Sequence, residues 1–129
     1  PSDAVYFTPV SSLDGIIQKD NPEIYDYNIP QALRDLHAAK DYGQWEVNGS
    51  IPVAFIATNH TTGGNSGSPM FNGRGELIGL AFDGNWEAMS GDISFNSDLQ
   101  RCIGVDIRSV LFLIEKWGHA PHLIREMGL

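Results

Sequence analysis

The chain carries a glycine-rich decapeptide between two short apolar segments, and this arrangement restricts its fold more than any other feature. The decapeptide is Thr61–Met70, TTGGNSGSPM. The flanking segments, residues 51–58 and 76–82, are rich in β-branched and aromatic residues and have the length of strands. Residues 71–75 contain an Asn-Gly pair typical of a hairpin turn. The sequence therefore predicts a mainly β fold in which two strands flank an exposed loop and a hairpin.

Ser66 lies in the middle of this loop. Glycines at 63, 64 and 67 admit backbone angles closed to other residues, and they leave the approach to the hydroxyl open. In such a turn the amides of Gly64 and Ser66 can converge on one point, where they would stabilise the oxyanion of a tetrahedral intermediate. Ser66 is therefore a candidate nucleophile, which needs a base and a carboxylate that orients the base. The alternative is a serine in a surface turn or an anion-binding loop.

The segment from His60 to Glu87, with GGNSGSP followed by GLAFDGNWE, resembles the bacterial dipeptidyl-peptidase 7/11 family, as does DIRSVLF at residues 106–112. The resemblance covers essentially all 129 residues. It implies the second β-barrel of a chymotrypsin/trypsin-like serine peptidase plus carboxy-terminal helices, in an enzyme that removes dipeptides from free peptide amino termini. It also implies a periplasmic or cell-surface location in a Gram-negative bacterium. Asn65 replaces the aspartate that pairs with a newly cut amino terminus in digestive peptidases, so no activation of that kind is expected.

The length of 129 residues fits a single domain. All-β domains often reach about 200–250 residues, and too little chain precedes Ser66 for a first barrel. We therefore expect residues 1–129 to be the carboxy-terminal half of a trypsin-like peptidase domain in a longer enzyme. A homodimer is one option for the assembly of the intact enzyme. Cys102 is the only cysteine, which excludes an internal disulfide, and a buried position within a strand over 99–105 is expected for it.

Composition excludes several classes of partner. The net charge of −8 and the pI near 4.7 disfavour nucleic acid and anionic membrane surfaces. No apolar run approaches the roughly 20 residues that a membrane-spanning helix requires. The sequence shows no metal-binding spacing of histidine, cysteine or carboxylate residues, so no metal or other cofactor is expected. The expected partners are peptides with a free amino terminus.

Four histidines are available as a base, but none has the expected position. His60 is six residues from Ser66, and a path back to the hydroxyl is conceivable. His37, His119 and His122 fit capping or surface positions better. The resemblance implies that the base and its aspartate lie upstream of these residues, so the chain alone should be inactive.

Asp83 and Gly84 are the candidates for substrate binding. A carboxylate can hold a free α-ammonium group by a charge-assisted hydrogen bond, and the resemblance gives this role to Asp83, expected in a bend after the strand. The alternative is an aspartate that only forms the turn. The resemblance also implies that glycine at 84, in place of the arginine of acid-specific members, gives a preference for apolar penultimate residues. Phe71, Phe82 and Trp86 are candidates for lining the pocket or for packing in the core.

The remaining elements follow from periodicity. Helices are expected over 29–41, with Asn28 as the cap and Gly43 beyond the end, over 109–117, and from Pro121 to Met127. A further strand is expected over 4–8. Two other functions stay open: a trypsin-like periplasmic endopeptidase and a non-catalytic binding module on a peptidase fold.

Overall fold

A computed structural model describes residues 8–90 and 96–129, and its centre is a five-stranded antiparallel sheet. The strands follow the order β1-β2-β5-β4-β3 across the sheet. Their bounds are Val10–Ser12 (β1), Pro52–Ala57 (β2), Pro69–Phe71 (β3), Leu77–Gly84 (β4) and Cys102–Asp106 (β5). The predicted mainly β fold is confirmed. In the described residues β1 and β3 are the two edge strands, and closure into a barrel of the chymotrypsin type stays a prediction.

Four α-helices flank the sheet within the described residues. They are Leu13–Ile17 (α1), Gln31–Ala39 (α2), Ile107–Phe112 (α3) and Pro121–Glu126 (α4). A π-helical turn, Leu113–Trp117, continues α3, and 3-10 turns occupy Tyr25–Tyr27, Gly43–Trp45 and Trp86–Ser90. In this part of the chain no helix has both the length and the apolarity needed to cross a bilayer.

The helices confirm the predicted positions but differ at their ends. Helix α2 begins after Pro30, so Asn28 does not cap it, and it ends at Lys40 in a left-handed conformation with φ of 52°. Gly43 lies outside the helix and opens the next 3-10 turn. Helix α3 begins earlier than expected because the Asp106 side chain accepts a hydrogen bond from the Arg108 amide and caps it. The strand expected over residues 4–8 lies outside the described residues, apart from Thr8, which is in no strand.

Strand β4 is longer than the sequence indicates. It continues through Asp83 and Gly84, which pair with Ile103 and Cys102 of β5. The prediction that Asp83 lies in a bend after the strand is therefore wrong, because these ladder contacts hold it in extended backbone. The register shifts between Ala81 and Asp83, which makes Phe82 the extra residue of a β-bulge.

Within residues 8–90 and 96–129, two separate apolar clusters stabilise the fold. The larger joins the helices to one end of the sheet and includes Tyr42, Trp45, Ile51 and Phe112. The smaller lies beneath the Ser66 loop and contains Met70, Ala81 and Cys102, with Phe55 packed against them. Cys102 is 1% exposed, which confirms its expected buried position.

Glycine at 79 and 104 lets the aromatic ring of Phe55 approach the sheet. A Cβ added at Gly79 would lie 2.8 Å from the Phe55 ring, and one at Gly104 would lie 2.8 Å from the same ring. Carbon atoms in contact ordinarily lie about 3.5–4.0 Å apart, so neither position has room for a side chain. Glycine at these positions of β4 and β5 therefore leaves the space that the Phe55 ring of β2 occupies against the sheet.

Candidate active site

The Ser66 loop is held by its own side chains at one end and by β4 at the other. The Thr62 amide donates a 2.7 Å hydrogen bond to Asn65 Oδ1, and the Asn65 amide donates to the Thr62 carbonyl at 3.2 Å. On the other side, the Gly67 amide donates to the Ala81 carbonyl at 2.7 Å, and the Ala81 amide donates to the Ser68 carbonyl at 2.8 Å. These bonds extend the pairing of β3 and β4 up to the nucleophile candidate.

Glycine is required at two points of this loop. Gly64 has φ of 97° and Gly67 has φ of 83°, which other residues rarely adopt. A Cβ at either position would meet no atom within 4 Å, so the requirement comes from the backbone angle and not from crowding. The left-handed residues lie on both sides of Ser66 and turn it outward.

Ser66 is exposed, and its hydroxyl donates a 3.3 Å hydrogen bond to the carbonyl of Phe82. The amides of Gly64 and Ser66 donate to no acceptor among residues 8–90 and 96–129, whereas the Gly67 amide is used in the ladder. Two backbone donors are therefore available beside an exposed hydroxyl, as an oxyanion hole requires. The roles of Gly64 and Ser66 stay predictions.

The bulge at Phe82 sets the geometry opposite Ser66. In a regular strand, successive side chains point to opposite faces of the sheet. The bulge interrupts this alternation in β4, so that Phe82 and Asp83 are both exposed although they are consecutive. The Phe82 carbonyl meets the Ser66 hydroxyl, and Asp83 accepts a 2.8 Å hydrogen bond from the Gly84 amide through Oδ1. No partner of Asp83 Oδ2 is found in the described part of the chain, so this oxygen is available to a ligand.

A cavity of about 240 Å³ brings the predicted residues together. Ser66, Asp83 and Gly84 all line it, together with Ala88 and Met89 from the 3-10 turn that follows β4. Gly64 is not part of its lining, although its neighbours Gly63 and Asn65 are. Asp83 is the only ionisable side chain among the described lining residues. The cavity therefore combines the Ser66 hydroxyl and the Asp83 carboxylate with lining residues that carry no charge.

A larger concavity of about 560 Å³ lies away from Ser66, next to Val10, Phe55 and Leu77. It holds no serine, cysteine or histidine among its described lining residues. The smaller cavity is therefore the better candidate for a chemical step. Within the described residues no group of three or more histidine, cysteine or carboxylate side chains converges as metal ligands do.

The structure separates the histidines from Ser66. The Ser66 hydroxyl bonds to Phe82, not to His60, and His60 faces a small cleft beside Gln100 and Cys102. His37 on α2 lies 2.5 Å from Asp14 Oδ1, and this contact lowers the pKa of the Asp14 carboxyl. Neither arrangement supplies a base to the cavity.

Of the three aromatic candidates, Phe82 lines the cavity, whereas Trp86 and Phe71 do not. Trp86 is 80% exposed and Phe71 is 58% exposed, so neither is in the core.

Asn85 is a residue that sequence analysis did not single out. Its side chain donates to the Leu99 carbonyl at 2.8 Å and accepts from the Arg101 amide at 2.8 Å, while its own amide donates to the Arg101 carbonyl at 3.0 Å. This clamp holds the end of β4 to the segment before β5 and fixes one wall of the cavity. An asparagine directly after Asp83-Gly84 was the available signal, but its partners are 14 to 16 residues away in the sequence.

The peptidase S46 family model matches residues 1–129. The chain is 52% identical to dipeptidyl-peptidase 7 of Phocaeicola vulgatus and 50% identical to the Asp/Glu-specific dipeptidyl-peptidase of Flavobacterium psychrophilum, in both cases over 100% of its length. The crystal structure of Porphyromonas endodontalis DPP11 in complex with the dipeptide Arg-Glu superposes with a TM-score of 0.93, at 46% identity over 99% of the chain.

The chain spans 18% of the length of each of these three relatives. Of the first two names only the second states a specificity, and the two identities are almost the same, so overall similarity does not indicate a preference for this chain. The family model matches the whole chain, and the fold agrees with that of a solved relative. The chain therefore belongs to the peptidase S46 family.

Proposed function

We propose that this chain is the nucleophile-bearing, carboxy-terminal half of the peptidase domain of a serine dipeptidyl-peptidase. The observation that carries the proposal is that Ser66 and Asp83 line one cavity, with the free amides of Gly64 and Ser66 beside the hydroxyl. A nucleophile and an anchor for the substrate's amino terminus are thus present in a single concave site. The names of the relatives agree with this reaction.

The proposed reaction is attack by Ser66 Oγ on the carbonyl carbon of the substrate's second residue. The hydroxyl proton passes to a base contributed from outside these residues, and the Gly64 and Ser66 amides stabilise the oxyanion. When the tetrahedral intermediate collapses, the bond to the third residue breaks, and the base returns its proton to the nitrogen of that residue, which leaves as a neutral amine. Water then hydrolyses the dipeptidyl ester, which releases the dipeptide and restores the Ser66 hydroxyl.

Asp83 gives this reaction its exopeptidase character in the proposal. Its available carboxylate oxygen accepts a charge-assisted hydrogen bond from the α-ammonium group, so that two residues fit between anchor and nucleophile. An amino-terminally acetylated peptide has no such group. Blocked peptides should therefore not be cut, whereas an endopeptidase would still cut them.

The proposed preference is for an apolar penultimate residue. Gly84 brings no charge to the cavity, and no cationic side chain lines it among the described residues. An acidic substrate side chain would have no counter-ion there and would lie near Asp83. Rates on otherwise identical peptides with leucine or glutamate at the second position test this preference. A periplasmic or cell-surface location and a homodimeric assembly stay predictions.

The decisive experiment is Ser66→Ala in the intact enzyme, assayed by dipeptide release from a chromogenic peptide. Loss of the nucleophile should lower kcat by about 10⁴-fold or more, because the other groups of a triad cannot act without it. Ser68→Ala is the matched control, since this serine is in the same loop but does not line the cavity. Retained turnover in Ser66→Ala would overturn the proposal. Failure of a fluorophosphonate to label Ser66 in the unsubstituted enzyme would favour a non-catalytic binding module.

A further inference from the structure

Ala88 lies next to Gly84 in the lining of the candidate cavity and is fixed in that position. It belongs to the 3-10 turn Trp86–Ser90, and its amide donates a 2.9 Å hydrogen bond to the Asn85 carbonyl. Asn85 is itself held by the three hydrogen bonds to residues 99 and 101 described above. The position of Ala88 relative to β4 is therefore determined by its backbone hydrogen bond to Asn85 and by the side-chain and backbone bonds that hold Asn85.

Gly84 and Ala88 compete for the same space. A Cβ added at Gly84 would lie 2.9 Å from the Ala88 Cβ, well inside the ordinary contact distance of about 3.5–4.0 Å. The Ala88 Cβ is attached directly to the backbone, so it cannot move aside by rotating a side chain. The space available at one position is consequently limited by the size of the residue at the other.

We infer that Ala88 is a second specificity-determining residue, which sets the size of penultimate side chain that the cavity accepts. The inference rests on the proposed function, because it takes Ser66 as the nucleophile. The side chain of the substrate's second residue is attached to the carbon next to the attacked carbonyl, so it must enter the cavity that Ser66 lines. There it meets the wall formed by Gly84, Ala88 and Met89, which carries no charge.

The test compares Ala88→Val and Ala88→Gly with the unsubstituted intact enzyme. The substrates are peptides that differ only at the penultimate residue, with alanine, leucine or phenylalanine, and the readout is the ratio of kcat/KM between phenylalanine and alanine. One methylene in an apolar pocket changes discrimination by roughly 10- to 200-fold, so Ala88→Val should lower this ratio by about tenfold or more. Ala88→Gly should raise it. Ala38→Val, an exposed position on α2, is the matched control and should leave it unchanged.

Fluorophosphonate titration of Ser66 gives the active fraction of each variant and corrects for partial misfolding. If Ala88→Val does not fold, Ala88→Gly still decides the matter. An unchanged ratio in Ala88→Gly, or an equal fall on every substrate in Ala88→Val, would overturn this inference alone, since dipeptide release by the unsubstituted enzyme would continue to support the proposed function. Absence of any release by the unsubstituted enzyme would overturn both.

A second comparison tests the shared space directly. Gly84→Ala should lower kcat/KM on the phenylalanine peptide, and adding Ala88→Gly should recover a large part of that loss because it removes the atom in conflict. Recovery confirms the coupling. Effects that simply multiply, as for independent sites, would contradict it.

Discussion

The Asn65 side chain stabilises the loop that carries Ser66 by accepting a hydrogen bond from the Thr62 amide at 2.7 Å. Asn65 is neutral, and its hydrogen bonds in the loop are made with Thr62 and Ser68, each three residues away in the sequence. The loop therefore has a local support that does not depend on an ion pair with a distant amino terminus. This arrangement fits an enzyme whose oxyanion-binding amides are positioned without proteolytic activation.

Asn65→Ala should lower kcat/KM of the intact enzyme by up to about tenfold. The lost hydrogen bond is worth about 0.5–1.5 kcal/mol, and the loop that positions the two amides becomes less ordered. Asn65→Asp is the matched control, because a carboxylate also accepts from the Thr62 amide. Steady-state kinetics on one chromogenic dipeptide substrate measures both. Equal losses of kcat/KM in the two variants would show that the hydrogen bond accepted from the Thr62 amide does not determine the activity.

Asp83→Asn should lower kcat/KM on peptides with a free amino terminus by about 10- to 100-fold. Hydrogen bonds to charged groups contribute about 1.5–3 kcal/mol, and the amide keeps the shape of the side chain while removing its charge. Labelling of Ser66 by a fluorophosphonate should not change, since that reagent has no ammonium group. Asp98→Asn, at an exposed position outside the cavity, is the control. Unaltered kinetics in Asp83→Asn would remove Asp83 from the site.

At the residue scale, the sequence predicts the features that depend only on the local backbone conformation. Glycines around one serine predict an exposed hydroxyl, and the structure places Gly64 and Gly67 in left-handed conformations on either side of it. The sequence was not sufficient for Asn85 and Ala88. Asn85 contacts residues 99–101, and Ala88 lies against Gly84. These contacts depend on how the chain folds, so a local sequence pattern does not reveal them.

Among the elements, β4 carries most of what the candidate site needs. The bulge at Phe82 exposes two consecutive residues and directs a carbonyl to Ser66. An apolar run predicts a strand but cannot reveal where its register shifts, because the shift depends on pairing with β5. This is why Asp83 was expected in a bend although it lies within the ladder.

A second element-scale contact joins the segment that follows α1 to α2. The Asp20 carboxylate lies 2.6 Å from Arg34 Nε and 2.9 Å from Arg34 Nη2, and it also accepts from the Ile29 amide at 3.2 Å. The bond with Arg34, followed by that with Ile29, holds the pKa of Asp20 below its ordinary value of 3.8. A carboxyl group with a lowered pKa stabilises the folded state while it is ionised. That contribution is present above pH 3.8 and is lost as the pH falls through the lowered value.

Asp20→Asn should therefore lower the Tm of the intact enzyme at pH 7, and the difference from the unsubstituted enzyme should shrink as the pH is taken below 3.8. Differential scanning calorimetry across this range measures it. Asp26→Asn, at an exposed position in the 3-10 turn between Asp20 and α2, controls for the change in net charge. A difference that is constant with pH would contradict the role of the ionised carboxylate.

At the scale of the molecule, the two apolar clusters of the described residues separate the side chains packed among the helices from those next to the candidate site. Phe112 is 1% exposed and packs edge-on against Tyr42, with ring centroids 6.3 Å apart, in the cluster among the helices. The cluster under Ser66 is formed by other residues, Met70, Ala81 and Cys102. Periodicity predicted the helices and strands, but the assignment of side chains to two interiors follows from how the sheet pairs, which periodicity does not specify.

Phe112→Ala should lower the free energy of unfolding by about 3–5 kcal/mol, because it removes a buried ring and leaves a cavity. Urea denaturation of the intact enzyme measures this loss. Tyr25→Ala is the control, since its ring is 94% exposed. In the fraction of Phe112→Ala that remains folded, the rate of Ser66 labelling should be unchanged. A slower rate per folded molecule would show that the two clusters are coupled.

The attachment of the Ser66 loop to β4 has a consequence for how such enzymes diversify. Backbone atoms of residues 67, 68 and 81 make this attachment, so it is indifferent to which side chains stand further along the strand. Under the proposed function, exchanges at 83 and 84, and at 88 in the turn that follows β4, would redirect the choice of substrate while the Ser66 hydroxyl keeps its place. The second half of β4 would then combine a constant anchor for the Ser66 loop at Ala81 with variable contacts to the substrate at Asp83 and Gly84.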